Sequence, residues 1–393
     1  MDHIATAAVV LAGISLTAGL FLLLVLIFLG FLALLAYWFL AVIWRPRKKL
    51  PLTLRRHANN PVLRPIASHW WESEAVFNPG AFVANGRVHL LYRAMGGDGV
   101  SRIGYASSPD GIHFDERPAN PVYDQGSGFT PTTSQIDLRY RPLSYDTDAH
   151  ASGGGWGGTE DPRAVMIDDR VYMSFGIFQS WQSIQMAFTS LSQEDLAMYR
   201  WAWEPYVTMS PKQETNKNWV IFPQKINGKY AVLHAMTPSI QIEYVDSLQD
   251  LQNNPIHSNG HRAGRPGYWD AFVRGAAAPP MHTPYGWLLL YHGMNPDDPK
   301  RVGYKVGAML LDLQDPTKIL FRSENPILEP TEWYENEWKQ GVVYASGAVI
   351  FEDDLIVYYG GGDKYIGAAK ANLDDFLHKM MTNKDVPLKK VEV

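Results

Sequence analysis

The sequence contains no cysteine among its 393 residues, which excludes disulfide bonds and thiolate metal sites. Its histidines also lack a ligand spacing such as HExxH, so we predict neither a metal nor another bound cofactor. A basic excess is missing as well, because 35 Lys and Arg stand against 40 Asp and Glu, for a formal net charge of -5. That balance gives no indication of a nucleic-acid partner.

Aromatic and turn-forming residues are abundant instead. The chain has 13 Trp, 20 Tyr and 16 Phe, together with 33 Gly and 26 Pro, a composition typical of many short strands joined by tight turns. Hydrophobic residues make up 46% of the chain, enough for one large core or two ordinary ones. We expect most aromatic rings in that core, although such richness also suits sugar binding.

A long apolar run occupies the N-terminal part of the chain. Residues 4–44 carry no charged side chain, a run well beyond the ~20 residues that cross a bilayer as a helix. We predict a transmembrane anchor over residues 1–44, with a single span near residues 21–43 and a helical hairpin turning near residues 17–19 as the alternative. A cleaved signal peptide fits less well, because its apolar region spans only about 7–15 residues and follows a basic segment.

The flanking charges predict the orientation of this anchor. Arg45, Arg47, Lys48 and Lys49 follow the run and open a basic linker over residues 45–60, whereas residues 1–3 carry no Lys or Arg. Under the positive-inside rule, the C-terminal domain lies on the cytoplasmic side of the membrane, for one span or for two. A translocated domain behind an atypical anchor is the alternative.

One sequence motif recurs five times within residues 61–393, which we predict to form one domain. The copies begin GRVHLLYRAM at Gly86, DRVYMSFGIF at Asp169, GKYAVLHAM at Gly228, GWLLLYHGM at Gly286 and DLIVYYGGG at Asp354. Paired strands with turn signals indicate β-sheets, and repetition at this period indicates stacked or radial units. We therefore predict an all-β, five-bladed β-propeller, which a two-sheet sandwich fits less well.

Polar residues lie in strings at comparable places in these repeats. In GGTEDPRAV, residues 157–165, strand alternation would send Glu160 and Asp161 to opposite faces, so that only one would face the axis. In EAVFNPGAF, Asn78 precedes Pro79 in a turn that leaves its amide available to a sugar hydroxyl. The other candidates are Arg93, Arg102, Arg163, Lys217, His234, Asp270, Arg274, His292 and Asp363. A propeller would gather such positions in one axial pocket.

The strings FNPG, YR, SSPDG, EDPR, FPQKINGKY, APP, GWLLLYHG, YYGGGD and IGAA together resemble glycoside hydrolase family 130, over residues 60–377. The resemblance implies a five-bladed propeller and inverting cleavage of β-mannosides by phosphorolysis or hydrolysis. It implies that Asp161 is the general acid, acting through a sugar hydroxyl, and that Asn78, Arg93 and Asp363 bind mannose. It puts Lys217 and His292 at phosphate-binding positions. We add Arg102, Arg163 and Asp270 as substrate-binding candidates and Arg274 as a phosphate-binding one.

Two positions depart from the family pattern. Ala235 stands where the family's phosphorylases have an arginine, and Val273 stands where they have a lysine, with Arg274 adjacent. Phosphate needs several charge-assisted donors, and losing one contact to a charged group costs ~1.5–3 kcal/mol. Hydrolysis would instead need a carboxylate base ~6.5–9.5 Å from the acid. Asp270 and Glu335 are candidates for that base by residue type.

Three functions follow from these observations. We expect a phosphorylase or hydrolase of β-mannoside oligosaccharides or glycoconjugates, with inorganic phosphate as co-substrate if it is a phosphorylase and the lipid bilayer as a second partner. A membrane-associated mannosyltransferase that uses a nucleotide sugar is the first alternative. The predicted anchor favours it, and so does the loss of two cationic phosphate-binding positions, at Ala235 and Val273. A non-catalytic glycan-binding subunit is the second, against which the EDPR string argues.

Overall fold

The computed structural model describes residues 2–43, 52–124, 155, 157–180, 182–297 and 303–382. The chain forms two compact units, Met1–Leu50 and Pro51–Val393. The second unit begins earlier than the boundary at residue 61 expected from the sequence, and Leu52 and Leu54 belong to its hydrophobic core. The basic residues that follow the apolar run, at positions 45–49, lie outside the described residues.

The first unit is built on one helix, α1 (Asp2–Ile43). Helix α1 passes through residues 17–19 without interruption, so the helical hairpin left open by the sequence is not formed. Within it, the stretch Ala18–Phe39 is long and apolar enough to cross a membrane, and its side chains are exposed. Length and composition make this stretch compatible with a membrane span and equally with a signal sequence.

In the described part of the second unit, the regular secondary structure is mainly β-strand and forms four sheets, in agreement with the predicted all-β class. The largest sheet contains β2 (Ala75–Ala84), β3 (Arg87–Met95), β4 (Val100–Ser108), β5 (Gly157–Ile167), β6 (Arg170–Ser180), β7 (Ser183–Ser192) and β8 (Val207–Thr208). The next contains β9 (Val220–Ile221), β10 (Tyr230–Ala235) and β11 (Gln241–Val245). The third contains β12 (Phe272–Ala276), β13 (Met281–Thr283), β14 (Gly286–Met294), β15 (Lys305–Leu311) and β16 (Ile319–Arg322). The fourth joins β1 (Arg55–Arg56) to β17 (Val343–Phe351), β18 (Asp354–Gly361) and β19 (Tyr365–Asn372).

The seven-stranded sheet consists of two antiparallel meanders, β2–β4 and β5–β8. A short parallel contact joins them, in which Val100 pairs with Gly157 and Ser101 with Gly158. The strands within the described segments therefore group into five meanders, which begin at β2, β5, β9, β12 and β17. Successive meanders contact one another, and β17 of the last contacts β2 of the first.

The hydrophobic core lies between neighbouring meanders. In one cluster, Val76 and Leu90 of the first meander pack with Val349 and Tyr358 of the last. The middle strands are buried on both faces, which explains their near-continuous apolar runs in the sequence. Two short helices, α2 (Gln193–Ala197) and α3 (Leu373–Thr382), follow β7 and β19.

A buried carboxylate binds a tyrosine hydroxyl and an arginine in three of the meanders. The three triads are Glu72–Tyr92–Arg117, Asp270–Tyr291–Arg322 and Glu335–Tyr359–Arg56. The tyrosine hydroxyls donate to the carboxylates at 2.8, 2.7 and 3.0 Å, respectively. Each ring lies against a glycine of the next strand, where an added Cβ would come within 2.4–2.5 Å of it (Gly104, Gly307 and Gly367). The triads are thus a repeated packing feature of the fold.

Candidate active site

The first strands of four meanders carry a bulge, at which the pairing register shifts. The shifts fall between Phe77 and Gly80, Glu160 and Arg163, Val273 and Gly275, and Ala345 and Gly347. A bulge releases a residue from the ladder and redirects its side chain. The polar residues within these bulges are Asn78, Asp161, Arg274 and Ser346.

Two of the bulges meet at Asp161, which is buried at the start of β5. Asn78 and Asp161 each precede a proline and adopt the left-handed region, with φ of 46° and 51°. Asn and Asp are the non-glycine residues that tolerate this conformation best. The amide Nδ2 of Asn78 donates a hydrogen bond to Oδ1 of Asp161 at 2.8 Å. The sequence signal for both positions is the polar residue before proline in FNPG and EDPR.

The same bulge brings both neighbouring carboxylates to one arginine. Arg93 of β3 is fully buried and donates to Oδ1 of Asp161 at 3.3 Å and to Oε1 of Glu160 at 2.9 Å. The expectation that Glu160 and Asp161 point to opposite faces is therefore wrong, because the bulge at Asp161 interrupts the strand alternation. Lys217 adds a second cation, 3.2 Å from Oε2 of Glu160.

These cations determine the protonation state of Asp161. Burial by itself would raise the pKa of this carboxyl group, but the charges of Arg93, Lys217 and Arg163 and the hydrogen bond from Asn78 outweigh it. The pKa of Asp161 is consequently held below its ordinary value. The group is therefore an anion at neutral pH.

Lys339 joins this cluster and was missed by the sequence analysis. Its ammonium lies 3.7 Å from Oδ2 of Asp363, a buried residue whose charge also acts on Arg93. Burial, followed by the charges of Arg274, Lys217 and Arg93, lowers the pKa of Lys339 to about 8. Lys339 stands in the segment before β17, outside any string that suggested chemistry, so only the folded chain identifies it.

His292 of β14 lies fully buried against Tyr344, with the two ring centroids 3.9 Å apart. Neither ring nitrogen forms a well-aligned hydrogen bond with a described residue, although the backbone of Ala345 approaches the ring closely enough to act on its pKa. Burial and then the charge of Arg163 hold the pKa of His292 well below its ordinary value, so the imidazole is neutral. A neutral imidazole can donate one hydrogen bond to a ligand and accept another.

Arg163 holds neighbouring segments of the site together through hydrogen bonds to protein groups. Its guanidinium donates to the carbonyl oxygens of Ala277 at 3.0 Å and Asp161 at 2.8 Å, and to Oδ1 of Asn218 at 2.8 Å. Asn218 precedes β9, has a φ of 66° and also accepts a hydrogen bond from Tyr344. Arg163 therefore connects three meanders through protein contacts.

Two expected substrate-binding residues have their contacts elsewhere. Arg102 pairs with Asp98 at 2.8 Å and with Asp124 at 3.1 Å and lies over the ring of Trp70. Asp270 is fully buried and binds Arg265 and Arg322, each at 2.8 Å, as well as Tyr291. His234 faces Ser258, with its Nδ1 at 3.1 Å from the hydroxyl oxygen.

Several buried polar atoms of the meanders have no protein partner in the described parts of the chain. They are Oδ1 of Asn78, Oγ1 of Thr159, both ring nitrogens of His292 and Oγ of Ser346. Buried polar groups in folded proteins are nearly always satisfied, so such atoms indicate a bound ligand or ordered water. Asn78 and Ser346 both lie in the bulges, and Asn78 contacts Asp161 directly.

Comparison with known proteins gives consistent matches along the second unit of the chain. A family model described as β-1,4-mannooligosaccharide phosphorylase matches residues 150–382. The 1,2-β-oligomannan phosphorylase of Thermoanaerobacter sp. (strain X514) is 34% identical over 334 residues, which cover 82% of this chain and 99% of the relative. The β-1,2-mannobiose phosphorylase of the same organism is 34% identical over 330 residues, covering 80% and 96%.

A solved structure matches as well. The β-1,2-mannobiose phosphorylase of Listeria innocua, in complex with β-1,2-mannobiose, superposes with a TM-score of 0.61 and 26% identity. The match covers 84% of this chain and 99% of that chain. The similarity therefore extends over nearly the whole length of each relative.

Proposed function

The chain belongs to glycoside hydrolase family 130 and is an enzyme of that family, and from this premise we propose that it is an inverting phosphorylase of β-1,2-linked mannosides. Phosphorylases of this family use inorganic phosphate as co-substrate and need no cofactor. The linkage is inferred from the two Thermoanaerobacter relatives and the Listeria structure, each of which is named for β-1,2-linked mannosides or oligomannan.

Asp161 is the proposed general acid. Its carboxyl group donates a proton, relayed by a sugar hydroxyl, to the bridging oxygen as the bond between that oxygen and the anomeric carbon breaks. The contacts with Asn78 and Arg93 fix the carboxylate while leaving Oδ2 without a hydrogen bond to either of these residues. Oδ2 of Asp161 is therefore the proposed proton-carrying atom, because Oδ1 accepts the hydrogen bonds from Asn78 and Arg93.

Phosphate enters from the opposite face of the sugar ring in this proposal. One phosphate oxygen forms a bond to the anomeric carbon while the glycosidic bond breaks, which inverts the β-configuration and yields α-mannose 1-phosphate and a shortened acceptor. Lys217, Arg274 and the neutral His292 are the proposed phosphate ligands, and Lys339 adds positive charge beside them. Cations and imidazole donors suit a phosphate anion, because charge-assisted hydrogen bonds are the strongest that it can accept.

Hydrolysis is less well supported by the contacts of the candidate bases. Asp270 and Glu335 each belong to a buried carboxylate–tyrosine–arginine triad, so both carboxylates are already neutralised by arginines. Glu160 is held between Arg93 and Lys217. A general base must be able to reach and activate a water molecule, which these contacts oppose.

Mannose binding is assigned to Asn78, Arg93 and Asp363. Oδ1 of Asn78 is buried without a partner in the described structure, and Asp363 lies near Arg93 and Lys339. Arg102, Arg163 and Asp270 are omitted from the substrate contacts, because their side chains are engaged by protein groups. Arg163 acts here through Asn218 and the backbone of Asp161.

The five meanders are the proposed blades of a five-bladed propeller. Their order of contact, from the first meander through each successor and back to the first, supports this arrangement. The pairing of β1 with β19 supports it too, because it joins the beginning and the end of the unit in one blade. We further propose that α1 anchors the chain in a membrane with the propeller on the cytoplasmic side.

One observation carries the functional proposal: an ionised, buried Asp161 is surrounded by four cations, Arg93, Arg163, Lys217 and Lys339. The test incubates the full-length chain in detergent with β-1,2- and β-1,4-mannobiose, with and without phosphate. We expect phosphate-dependent release of α-mannose 1-phosphate from the β-1,2-linked disaccharide. Release of free mannose at equal rates without phosphate would contradict phosphorolysis, and a requirement for a nucleotide-activated mannose would replace it with transfer.

A further inference from the structure

A cationic cavity lies beside the proposed phosphate ligands, between the meanders that begin at β9 and β12. Its lining includes Lys217, His261, Arg262 and Arg274, and no carboxylate is among the residues that line it. Arg262 is exposed and lies over the ring of Phe272, 5.9 Å from its centroid, and Arg274 is partly buried. A cavity lined by charges of one sign concentrates ions of the opposite sign, so two arginines and a lysine on one cavity without a carboxylate indicate an anion site.

The two departures from the family pattern both touch the segment that carries Arg262. An added Cβ on Gly260 would lie 2.6 Å from Cβ of Ala235, so this segment fills the space that an arginine at position 235 would require. The backbone N–H of Val273 donates to the carbonyl oxygen of Arg262 at 2.8 Å. Ala235 and Val273 thus occupy the two positions at which the family pattern has cations. Arg262 lies on the segment that contacts both of them.

This segment is held in place by further bonds. The N–H of His261 donates to the carbonyl oxygen of Thr237 at 3.0 Å, and the hydroxyl of Thr237 donates to the carbonyl oxygen of His261. Ala263 pairs with Phe272 of β12 across an isolated bridge. The backbone on both sides of Arg262 is therefore fixed to β10 and β12, which limits the entropy lost when its side chain binds an anion.

We propose that Arg262 is a phosphate-binding residue of this chain and supplies the guanidinium that position 235 lacks. The inference rests on the proposed phosphorylase function and adds a ligand to its phosphate site. Arg262 and Arg274 would hold the phosphate from one side and Lys217 from the other. An arginine fork matches two phosphate oxygens at once, which a lysine does not.

The electrostatics of Arg262 agree with this geometry. Partial burial and the charge of Arg274 lower the pKa of the Arg262 guanidinium, as expected where two cations share a pocket. An anion bound between the two guanidinium groups would offset their mutual repulsion. Either free phosphate or the phosphate group of mannose 1-phosphate provides such an anion.

The experiment measures initial rates with phosphate varied at saturating β-1,2-mannobiose, and the reverse reaction with mannose 1-phosphate varied. Full-length wild type is compared with Arg262→Ala, Arg262→Lys and the control Arg200→Ala, which removes an exposed arginine paired with Asp195. We expect Arg262→Ala to raise KM for phosphate about 10- to 100-fold, and KM for mannose 1-phosphate by a similar factor. Arg262→Lys should recover part of the loss, while KM for mannobiose stays unchanged.

A binding readout separates this inference from the proposed function. Phosphate should raise the Tm of wild type, relative to chloride at equal ionic strength, and this rise should shrink in Arg262→Ala. If wild type performs phosphorolysis and Arg262→Ala keeps its KM for phosphate, the assignment of Arg262 is wrong although the function stands. If wild type shows no phosphorolysis but its phosphate-dependent rise in Tm requires Arg262, the function is wrong and the anion site stands. A lowered Tm without phosphate, together with an equal rise in KM for phosphate and for mannobiose, would make Arg262 a structural residue and overturn the inference.

Discussion

Replacing Asp161 with asparagine removes the proposed proton donor while keeping the shape of the buried site. The amide oxygen of asparagine can still accept the hydrogen bonds from Asn78 and Arg93, and Arg93 keeps its pair with Glu160 at 2.9 Å. Loss of the carboxyl group should therefore affect catalysis more than folding. The change isolates proton transfer from the binding of the sugar.

The expected loss of rate is large. General acid catalysis contributes about 10²–10⁴-fold, and the other carboxylate in contact with Arg93, Glu160, is also bound by Lys217 and cannot substitute. We expect kcat for β-1,2-mannobiose to fall about 10³-fold or more, equivalent to about 4 kcal/mol of transition-state stabilisation. KM for the sugar should change little, because the contacts of Asn78 and Arg93 remain.

The assay compares two leaving groups. A nitrophenyl β-mannoside expels a weakly basic phenolate that needs little protonation, so Asp161→Asn should slow its phosphorolysis by only about tenfold or less. The control Asp168→Asn removes a carboxylate that is 68% exposed and pairs with Lys225, and it should leave both rates unchanged. Equal losses on the two substrates would refute the acid role of Asp161, and so would a loss below tenfold on mannobiose.

Three further predictions concern charge, stability and topology. Because the pKa of Lys339 is lowered to about 8, its ammonium is charged below that pH and neutral above it, so KM for phosphate should rise between about pH 7 and pH 9.5 in wild type. Lys339→Arg should abolish this rise, since its guanidinium stays charged; a rise that persists in this variant would contradict the assignment. Asp270→Ala should lower the free energy of unfolding by about 3 kcal/mol, because it leaves two partly buried arginines and the buried Tyr291 hydroxyl without their carboxylate. KM for mannobiose should stay unchanged in the folded fraction; intact stability with a raised KM would return Asp270 to the substrate site. Asp246→Cys places one thiol at an 81%-exposed position of a cysteine-free chain, and an impermeant maleimide should label it only after permeabilisation; labelling of intact cells would reverse the proposed orientation.

Much of the fold can be predicted from the sequence because the repeat is local. The motif copies that begin at Gly86 and Gly286 correspond to β3 and β14, and the copy that begins at Asp354 corresponds to β18. Alternation, turn residues and spacing are properties of neighbouring positions, so they indicate strands directly. The triads could not be predicted in this way, since Arg56 and Glu335 are separated by 279 positions and only the assembled sheets bring them together.

The part of the site formed by the two bulges could be predicted from local sequence. Asn78 and Asp161 precede prolines, and this local signal marks the two bulges that bring them into contact. Strand alternation predicts the wrong orientation for Glu160, because it assumes an uninterrupted ladder, and the bulge at Asp161 breaks that ladder. Lys339 has no comparable signal: its importance comes from its distance to cations on other meanders, which is a property of tertiary structure.

The lowered pKa of Asp161 affects how this group could act as a general acid. Arg93, Lys217 and Arg163 hold the group ionised, yet a general acid must carry a proton when the glycosidic bond breaks. Phosphate bound beside Lys217 would offset part of that positive field, and a sugar in the pocket would displace water from the carboxylate. Both changes favour the protonated form. We therefore propose that uptake of the proton is coupled to binding of both substrates, and that the cations proposed to bind phosphate keep Asp161 ionised until phosphate binds.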